Sequence, residues 1–249
     1  MPRQARKHSE SGIYHVMLRG INKQQIFEDE EDFQKFISVL KDCKAISKFK
    51  LFAYCLMGNH IHLLIKPEKE SLELIFKRIG SRYVYWYNWK YHRTGHLFQD
   101  RYKSEPVDDE SYFLTVLRYI HQNPIKANLC NKIGDYKYSS YQEYESENSL
   151  IIDTNMALSI TDKISLLNFF EEDNNDACLE ISDTFRLNDE EAKEIIKKYS
   201  QCKTVAEFQN LDSKSRDEYI AKFKQNGLSI RQISRLTGIS FGIVRKKFD

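Results

Sequence analysis

The sequence predicts an α+β fold, in which a ferredoxin-like antiparallel sheet carries helices on one side and an all-helical C-terminal region follows. Over the first half of the 249 residues, short segments rich in β-branched and aromatic residues alternate with amphipathic helical patterns in the order β-α-β-β-α-β-α. After about Tyr144 the patterns are helical, and the chain ends in two short helical segments joined by Thr237-Gly238-Ile239. That ending is typical of a helix-turn-helix.

The first four elements follow from periodicity. Residues 13–19 are predicted to form a strand because they are β-branched or aromatic at most positions. Residues 30–45 carry apolar side chains at helical spacing and predict an amphipathic helix. Residues 49–55 and 59–66 then predict two strands joined by a tight turn at Met57-Gly58.

The next elements complete the predicted sheet domain. Residues 71–90 predict a second helix, whose Trp86 and Trp89 are expected to lie in the core because large aromatic side chains are mostly buried. Residues 97–107 predict a strand or extended segment. Residues 110–123 predict a third helix that ends before Pro124, because a residue preceding proline avoids the α conformation.

Charge divides the chain into three segments. Residues 1–145 hold 23 Lys and Arg against 18 Asp and Glu, residues 146–204 hold 6 against 13, and residues 205–249 hold 9 against 5. We therefore predict a basic N-terminal domain at 1–145, an acidic helical linker region at 146–204 and a basic helix-turn-helix domain at 205–249. The two basic ends indicate polyanionic partners. The alternative is that all three segments are solvated surfaces of uneven charge, and we favour this interpretation for the middle segment.

Composition excludes several other classes of protein. No apolar run has the length of a membrane-spanning helix, so no membrane partner is expected. The five cysteines are scattered without a Cys-x-x-Cys pair, which indicates reduced thiols, and the basic N-terminus is not followed by an apolar core like that of a secretory signal. A cytoplasmic location is therefore expected.

His60-Ile61-His62 is the most informative motif. Residues i and i+2 of a strand point to the same face, so the two imidazoles should lie side by side. Histidine is the commonest metal ligand, and the pair therefore resembles half of a metal site. Spacing alone leaves an ordinary polar sheet face equally open.

Tyr119 and Asn123 lie four residues apart and so share one face of the predicted third helix, at the edge of its apolar stripe. From that edge a side chain can reach into a cleft. A boundary tyrosine with a solvated hydroxyl and a helix-ending asparagine are the alternatives.

Four stretches in this order resemble a known family. They are Tyr14-His15-Val16-Met17-Leu18-Arg19-Gly20, Gly58-Asn59-His60-Ile61-His62-Leu63-Leu64-Ile65, Gly95-His96-Leu97-Phe98-Gln99-Asp100-Arg101-Tyr102-Lys103 and Leu117-Arg118-Tyr119-Ile120-His121-Gln122-Asn123-Pro124. Together they are similar to the single-tyrosine (Y1) His-hydrophobe-His (HUH) transposases. More narrowly, they resemble the IS200-like superfamily and its branch associated with repeated extragenic palindromes (REP), over roughly residues 8–145.

The resemblance implies a metal-assisted nucleophilic site. His60, His62 and Asn123 would hold one divalent cation, Mg²⁺ or Mn²⁺, although glutamine is common at the third position in related enzymes. Tyr119 would attack a DNA phosphodiester, giving a 5′-phosphotyrosine and a free 3′-hydroxyl. The bond energy is retained in the tyrosine ester, so a 3′-hydroxyl can reverse the step and join strands.

The expected partner is single-stranded or hairpin DNA. Arg19, Arg101 and Lys103 are the candidate DNA contacts in the first domain, because they fall in family-like stretches. The helix-turn-helix could add a reader of duplex DNA. Its candidate contacts are Arg231, Arg235, Arg245 and Lys246. A homodimer is possible on the same resemblance, since related enzymes include both dimers and proteins that act alone.

Two other functions remain open at this point. The chain could be a domesticated DNA-binding regulator that keeps the fold without catalysis. It could also be a metal phosphodiesterase that uses the histidine pair and a water nucleophile. Cleavage that depends on Tyr119 would distinguish the transposase-type reaction from both.

Overall fold

The computed structural model describes residues 6–146, 150–179, 189–202 and 204–248, and it divides the chain into two compact units, residues 1–181 and 182–249. The predicted division was into three segments, at 145 and 204. The structure instead assigns most of the acidic segment to the first unit, because Leu166 and Phe170 are buried in the same core as the sheet.

The first unit is an antiparallel sheet with helices, which confirms the predicted mixed α+β fold. Its four strands lie in the order β2-β3-β1-β4, and every neighbouring pair is antiparallel. The strands are β1 (Tyr14–Arg19), β2 (Lys50–Met57), β3 (His60–Lys66) and β4 (Lys103–Pro106). The helices are α1 (Glu30–Ser47), α2 (Leu72–Lys90), α3 (Glu110–Lys126), α4 (Tyr141–Glu145), α5 (Asn155–Ile160) and α6 (Lys163–Glu171).

Strands β2 and β3 form the predicted hairpin. The turn falls at Gly58 and Asn59, one residue later than predicted, and Met57 pairs with His60. His62 pairs with Cys55 on one side and with Met17 of β1 on the other. Residues paired directly across a sheet share a face, so the hairpin and β1 together fix the face to which both histidines belong.

Both faces of the sheet are covered, so the prediction of helices on one side was wrong. Helix α3 covers the face with the histidines, where Tyr119 contacts the ring of His62. The opposite face, with Val16, Leu63 and Ile65, is fully buried as well and shares one core with the apolar residues of α1 and α2. The nearly continuous apolar runs of β2 and β3 are typical of strands buried on both faces.

Helix α3 continues past Pro124, where the sequence predicted its end. It begins after Asp109, whose carboxylate accepts a hydrogen bond from the backbone N–H of Tyr112 at 2.7 Å, and it ends at Lys126. Proline in the last turn removes a single backbone donor, and its fixed φ is compatible with a helix. The preference of the preceding residue against the α conformation is therefore overridden here.

The acidic segment packs on α3. The Gln122 side chain donates hydrogen bonds to the carbonyls of Phe170 at 2.7 Å and Glu172 at 3.0 Å. Arg118 forms ion pairs with Asp176 at 2.9 Å and with Glu172 at 3.1 Å. Part of the negative charge of this segment thus neutralises a mostly buried arginine of α3.

The second unit is helical over its described residues. Its helices are α7 (Asp189–Ser200), α8 (Val205–Gln209), α9 (Ser213–Gln225), α10 (Ile230–Thr237) and α11 (Phe241–Arg245). Ser229 and Gln232 form a capping box at the start of α10, and Gly238 ends this helix with a left-handed φ of 69°. Such a φ is accessible to glycine without steric cost, so the chain turns sharply into α11. Within the described ranges, no helix combines the length and apolar character needed to cross a membrane.

Candidate active site

The two histidines of β3 lie side by side and are neutral at pH 7. Their ring centroids are 5.1 Å apart, His62 is fully buried and His60 is half-buried. Burial, together with the nearby positive charge of Arg19, lowers the pKa of His60 to about 4. Burial and the neighbouring His15 and His60 lower the pKa of His62 well below its usual range. Neutral imidazole is the form that binds metal ions.

His62 has a ring nitrogen suited to a metal ion. Its Nε2 atom is buried and has no hydrogen-bond partner in the structure. A buried polar atom without a partner is costly, and a metal ion at this nitrogen would remove that cost. The donor set at this end of the sheet therefore fits a divalent cation.

A third ligand would have to come from another residue type. Among the described residues, no three His, Cys, Asp or Glu side chains are grouped so that they could hold a metal ion. The amide oxygen of Asn123 is a suitable donor, because Mg²⁺ and Mn²⁺ prefer oxygen ligands. Asn123 is half-buried on the last turns of α3, and its Nδ2 donates to the carbonyl of Tyr119 at 2.8 Å.

Tyr119 packs directly against His62 and His15. It is only 3% exposed, and the centroid of its ring lies 5.8 Å from that of His62 and 5.8 Å from that of His15, with the edge-to-face geometry that aromatic rings prefer. The ammonium group of Lys126 lies 5.0 Å from the centre of the same ring. The structure thus brings together His62 and Tyr119, which are 57 positions apart in the sequence.

His15 and Glu105 also belong to this site, although they were not among the site residues predicted from the sequence. His15 Nε2 lies 3.0 Å from His62 Nδ1, and His15 Nδ1 lies 2.8 Å from a carboxylate oxygen of Glu105. His15 is fully buried in β1 and pairs with Glu105 of β4 across the sheet. The signal for His15 in the sequence was a histidine within a predicted strand. That strand pairs with β3, whose own histidines were already predicted to bind a metal.

Glu105 is surrounded by hydrogen-bond donors. Its Oε1 atom accepts bonds from His15 and from the backbone N–H of Leu179, the latter at 2.8 Å, and the Tyr112 side chain also bonds to it. Burial by itself raises the pKa of this carboxyl, but these bonds outweigh burial and hold the pKa below its ordinary value. Glu105 is therefore a carboxylate at neutral pH, able to accept hydrogen bonds and unable to donate them.

The candidate DNA-binding cations of the first unit lie in two places. Arg19 pairs with His60 across the sheet and is half-buried beside it. Arg101 and Lys103 line a cavity of about 700 Å³ at the β4 edge, together with Arg6 and Lys7. Arg101 is exposed and lies 3.8 Å from Glu73. Exposed cations around a cavity fit a phosphate backbone.

Aromatic residues of α2 extend the surface of this unit. Tyr85 is 78% exposed and Trp89 is 69% exposed, so the expectation that Trp89 lies in the core was wrong, whereas Trp86 is half-buried. Residues 85 and 89 are one helical turn apart and share a face. Other residues of α2 form its buried apolar face, so Tyr85 and Trp89 lie on the exposed face of the helix.

The candidate contacts of the second unit are all exposed. They are Arg231, Arg235, Arg245 and Lys246. Arg235 forms an ion pair with Asp189 of α7, so part of its charge is already balanced within the unit. The other three lie on α10, on α11 and just beyond it.

Comparison with known proteins shows a family to which this chain is similar. Residues 8–123 match the family model described as "Transposase IS200 like", which confirms the resemblance predicted from the motifs. A protein of Haemophilus influenzae named as a REP-associated tyrosine transposase is 25% identical over 150 residues, which cover 55% of this chain and 83% of that protein.

A solved structure shares the fold. It is a REP-associated tyrosine transposase bound to a REP hairpin, with a TM-score of 0.53 and 15% identity, and the match covers 61% of this chain and 90% of that chain. The catalytic candidates His60, His62 and Tyr119 all lie within the region that matches the family model.

Proposed function

We propose that this chain is a metal-dependent single-stranded DNA endonuclease and strand transferase of the Y1 HUH type, which nicks hairpin-associated DNA through a 5′-phosphotyrosine. The observation that carries the proposal is the packing of Tyr119 against His62, whose buried Nε2 atom has no hydrogen-bond partner. The proposed nucleophile on α3 thus packs against the sheet face that carries the proposed metal ligand. The antiparallel strand order β2-β3-β1-β4 supports the proposal, because it is the order expected of the sheet in this type of nuclease.

His60, His62 and Asn123 would hold the cation, Mg²⁺ or Mn²⁺. When bound, the cation would supply positive charge that polarises the scissile phosphate. The other contributions come from residues of this chain. Burial keeps both imidazoles neutral, and Arg19 beside His60 supplies a fixed cation for the phosphate oxygens.

In the covalent step the phenolic oxygen of Tyr119 forms a new bond to phosphorus, and the bond from phosphorus to the 3′-oxygen breaks. The phenol loses a proton and the departing 3′-oxygen gains one, so the products are a phosphotyrosine and a 3′-hydroxyl. No water or nucleotide cofactor is consumed, and attack by another 3′-hydroxyl on the phosphotyrosine joins strands. A hydrolase would not need the tyrosine.

Hairpin DNA is the proposed substrate for two reasons. The solved structure that shares this fold is bound to a REP hairpin. Arg101 and Lys103 line the cavity at the β4 edge, where they would contact the phosphates of the DNA backbone. Exposed Tyr85 and Trp89 could add base stacking, the usual complement to such cations in single-strand binding.

The experiment is incubation of labelled hairpin DNA carrying single-stranded flanks with Mg²⁺ or Mn²⁺, followed by denaturing electrophoresis. We expect a protein–DNA adduct that resists denaturation. It should not form when EDTA is present during the incubation, and it should be absent in Tyr119→Phe. Tyr138→Phe serves as the matched control, because the Tyr138 ring packs against Phe33 and Tyr136 rather than against the histidines, and it should still form the adduct.

The other candidate functions give different results. Cleavage that persists in Tyr119→Phe would replace the proposal with a water-using phosphodiesterase. Hairpin binding without cleavage under either metal would indicate a DNA-binding regulator. Each result contradicts the transposase-type reaction, so the assay decides among the three.

A further inference from the structure

A chain of three buried or half-buried side chains leads away from the candidate metal site. It runs from His62 Nδ1 to His15 Nε2 at 3.0 Å and from His15 Nδ1 to Glu105 Oε1 at 2.8 Å. We propose that Glu105 and His15 form a positioning relay that fixes His62 as its Nδ1–H tautomer, so that its Nε2 lone pair faces the metal position. This inference rests on the proposed function only in assigning His62 to the metal.

The direction of the hydrogen bonds follows from Glu105. A carboxylate only accepts, so His15 Nδ1 must be the donor in that pair. In a neutral imidazole the other nitrogen then carries the lone pair, so His15 Nε2 accepts. His62 Nδ1 must therefore carry the proton, and His62 Nε2 is left as a bare acceptor, which is the atom without a partner.

The surroundings of Glu105 strengthen this direction. The N–H of Leu179 and the side chain of Tyr112 also bond to the carboxylate, so further donors satisfy it and hold it in place. His15 is fully buried between its two partners. Metal-binding histidines commonly donate their second ring N–H to such a partner; here a second imidazole lies between the ligand and the carboxylate.

The tautomer can be read without any metal. In the 249-residue chain, labelled with ¹⁵N-histidine, long-range ¹H–¹⁵N correlation spectra distinguish protonated from unprotonated ring nitrogens, and His62→Asn assigns the His62 signals. We expect a protonated Nδ1 and an unprotonated Nε2 in the metal-free protein at pH 7.5. A protonated His62 Nε2, as would follow if His15 donated from both nitrogens, would overturn the proposal.

Glu105→Gln tests the relay directly, because an amide can donate as well as accept. Because an amide does not fix the direction of the hydrogen bonds along the relay, we expect His62 to populate both tautomers. Mn²⁺ affinity, measured by calorimetry, should fall about 10- to 100-fold. Glu105→Asp restores an acceptor-only group and should recover the Nδ1–H tautomer. Glu68→Gln, an exposed glutamate 3.5 Å from Lys50, makes the same change in charge as a control and should alter neither measurement.

The outcomes separate this inference from the proposed function. Thermal unfolding with the wild-type midpoint would show that Glu105→Gln is folded, and an unchanged His62 tautomer in that folded variant would refute the relay. If DNA cleavage fails in the wild-type protein while the tautomer and Mn²⁺ results hold, the relay stands and the nuclease function falls.

Discussion

At the scale of single residues, His121 shows how this fold uses a buried histidine outside the active site. It is fully buried among the rings of Tyr141, Tyr144 and Phe170, and its Nε2 atom lies 2.8 Å from the Ser140 hydroxyl. Burial lowers its pKa to about 3. The residue is therefore part of the core.

His121 should make folding sensitive to acid. Below pH 6.5 the unfolded chain binds a proton at this histidine and the folded chain does not, so its stabilising contribution is complete above pH 6.5 and is lost as the pH falls toward 3. Between pH 6.5 and 5.0 we expect a loss of up to about 2 kcal/mol from this group. Urea unfolding at both pH values measures it.

His121→Phe is the matched comparison, because a phenyl ring fits the same aromatic surroundings without titrating. Its free energy of unfolding should fall less between pH 6.5 and 5.0 than that of the wild type. An equal fall in both proteins would show that His121 does not contribute to the acid sensitivity.

The residues of the site differ in how far sequence alone could predict them. His60 and His62 share a face through their spacing, and the family-like stretches select Tyr119, so these could be named in advance. His15 and Glu105 could not, because they are 90 positions apart and meet only through the pairing of β1 with β4. Pairing between distant strands is set by the tertiary fold, which a local pattern does not encode.

At the scale of elements, the end of β1 depends on a glycine with no room for a side chain. Gly20 follows Arg19, and its N–H donates to the carbonyl of Asn59 in the hairpin turn at 2.9 Å. A Cβ atom on Gly20 would lie 2.3 Å from the backbone oxygen of Gln24 and 2.9 Å from a methyl group of Ile26. The backbone oxygen cannot move aside without shifting the chain.

Gly20→Ala should therefore destabilise the first unit by about 1–3 kcal/mol, the usual cost of overpacking. Gly80→Ala is the opposite case, because that glycine lies inside α2 with nothing within 4 Å of the new Cβ. We expect it to stabilise by about 0.5–1 kcal/mol through helix propensity. Urea unfolding compares both, and equal stabilities of the two variants would contradict the steric argument.

Elements were predicted best where periodicity and burial agree. Helix α2, expected at 71–90, is observed at Leu72–Lys90, and the two strands of the hairpin lie close to their predicted bounds. The end of α3 and the exposure of Trp89 were not predictable, because both depend on packing. Proline and aromatic preferences are local tendencies, which tertiary contacts override.

At the scale of the whole molecule, the three segments that differ in charge do not coincide with the two compact units of the structure. The basic C-terminal residues belong to a unit with its own core, which includes Phe208, Phe223 and Val244. We propose that helices α10 and α11, joined at the Gly238 turn, form a helix-turn-helix that binds duplex DNA. Three exposed cations would bind its phosphates or bases: Arg231, Arg245 and Lys246.

Replacing these three cations by glutamine should weaken duplex DNA binding and lower the salt dependence of log K by about 0.9 for each phosphate that the variant no longer neutralises. Adduct formation by Tyr119 on a short hairpin oligonucleotide should continue, because that site belongs to the other unit. Arg235 is left in place, since its ion pair with Asp189 also supports the fold of the unit. Fluorescence anisotropy over a series of salt concentrations measures the effect.

The control replaces Lys193, Lys197 and Lys198 of α7 by glutamine, which removes the same charge from exposed positions of the same unit. If binding depends on the helix-turn-helix surface, this control should keep most of its affinity, because it retains the α10 and α11 cations that would contact the DNA phosphates. Equal decreases in affinity in the two triple variants would mean that duplex binding reflects net charge alone, and the helix-turn-helix would then not be a DNA reader.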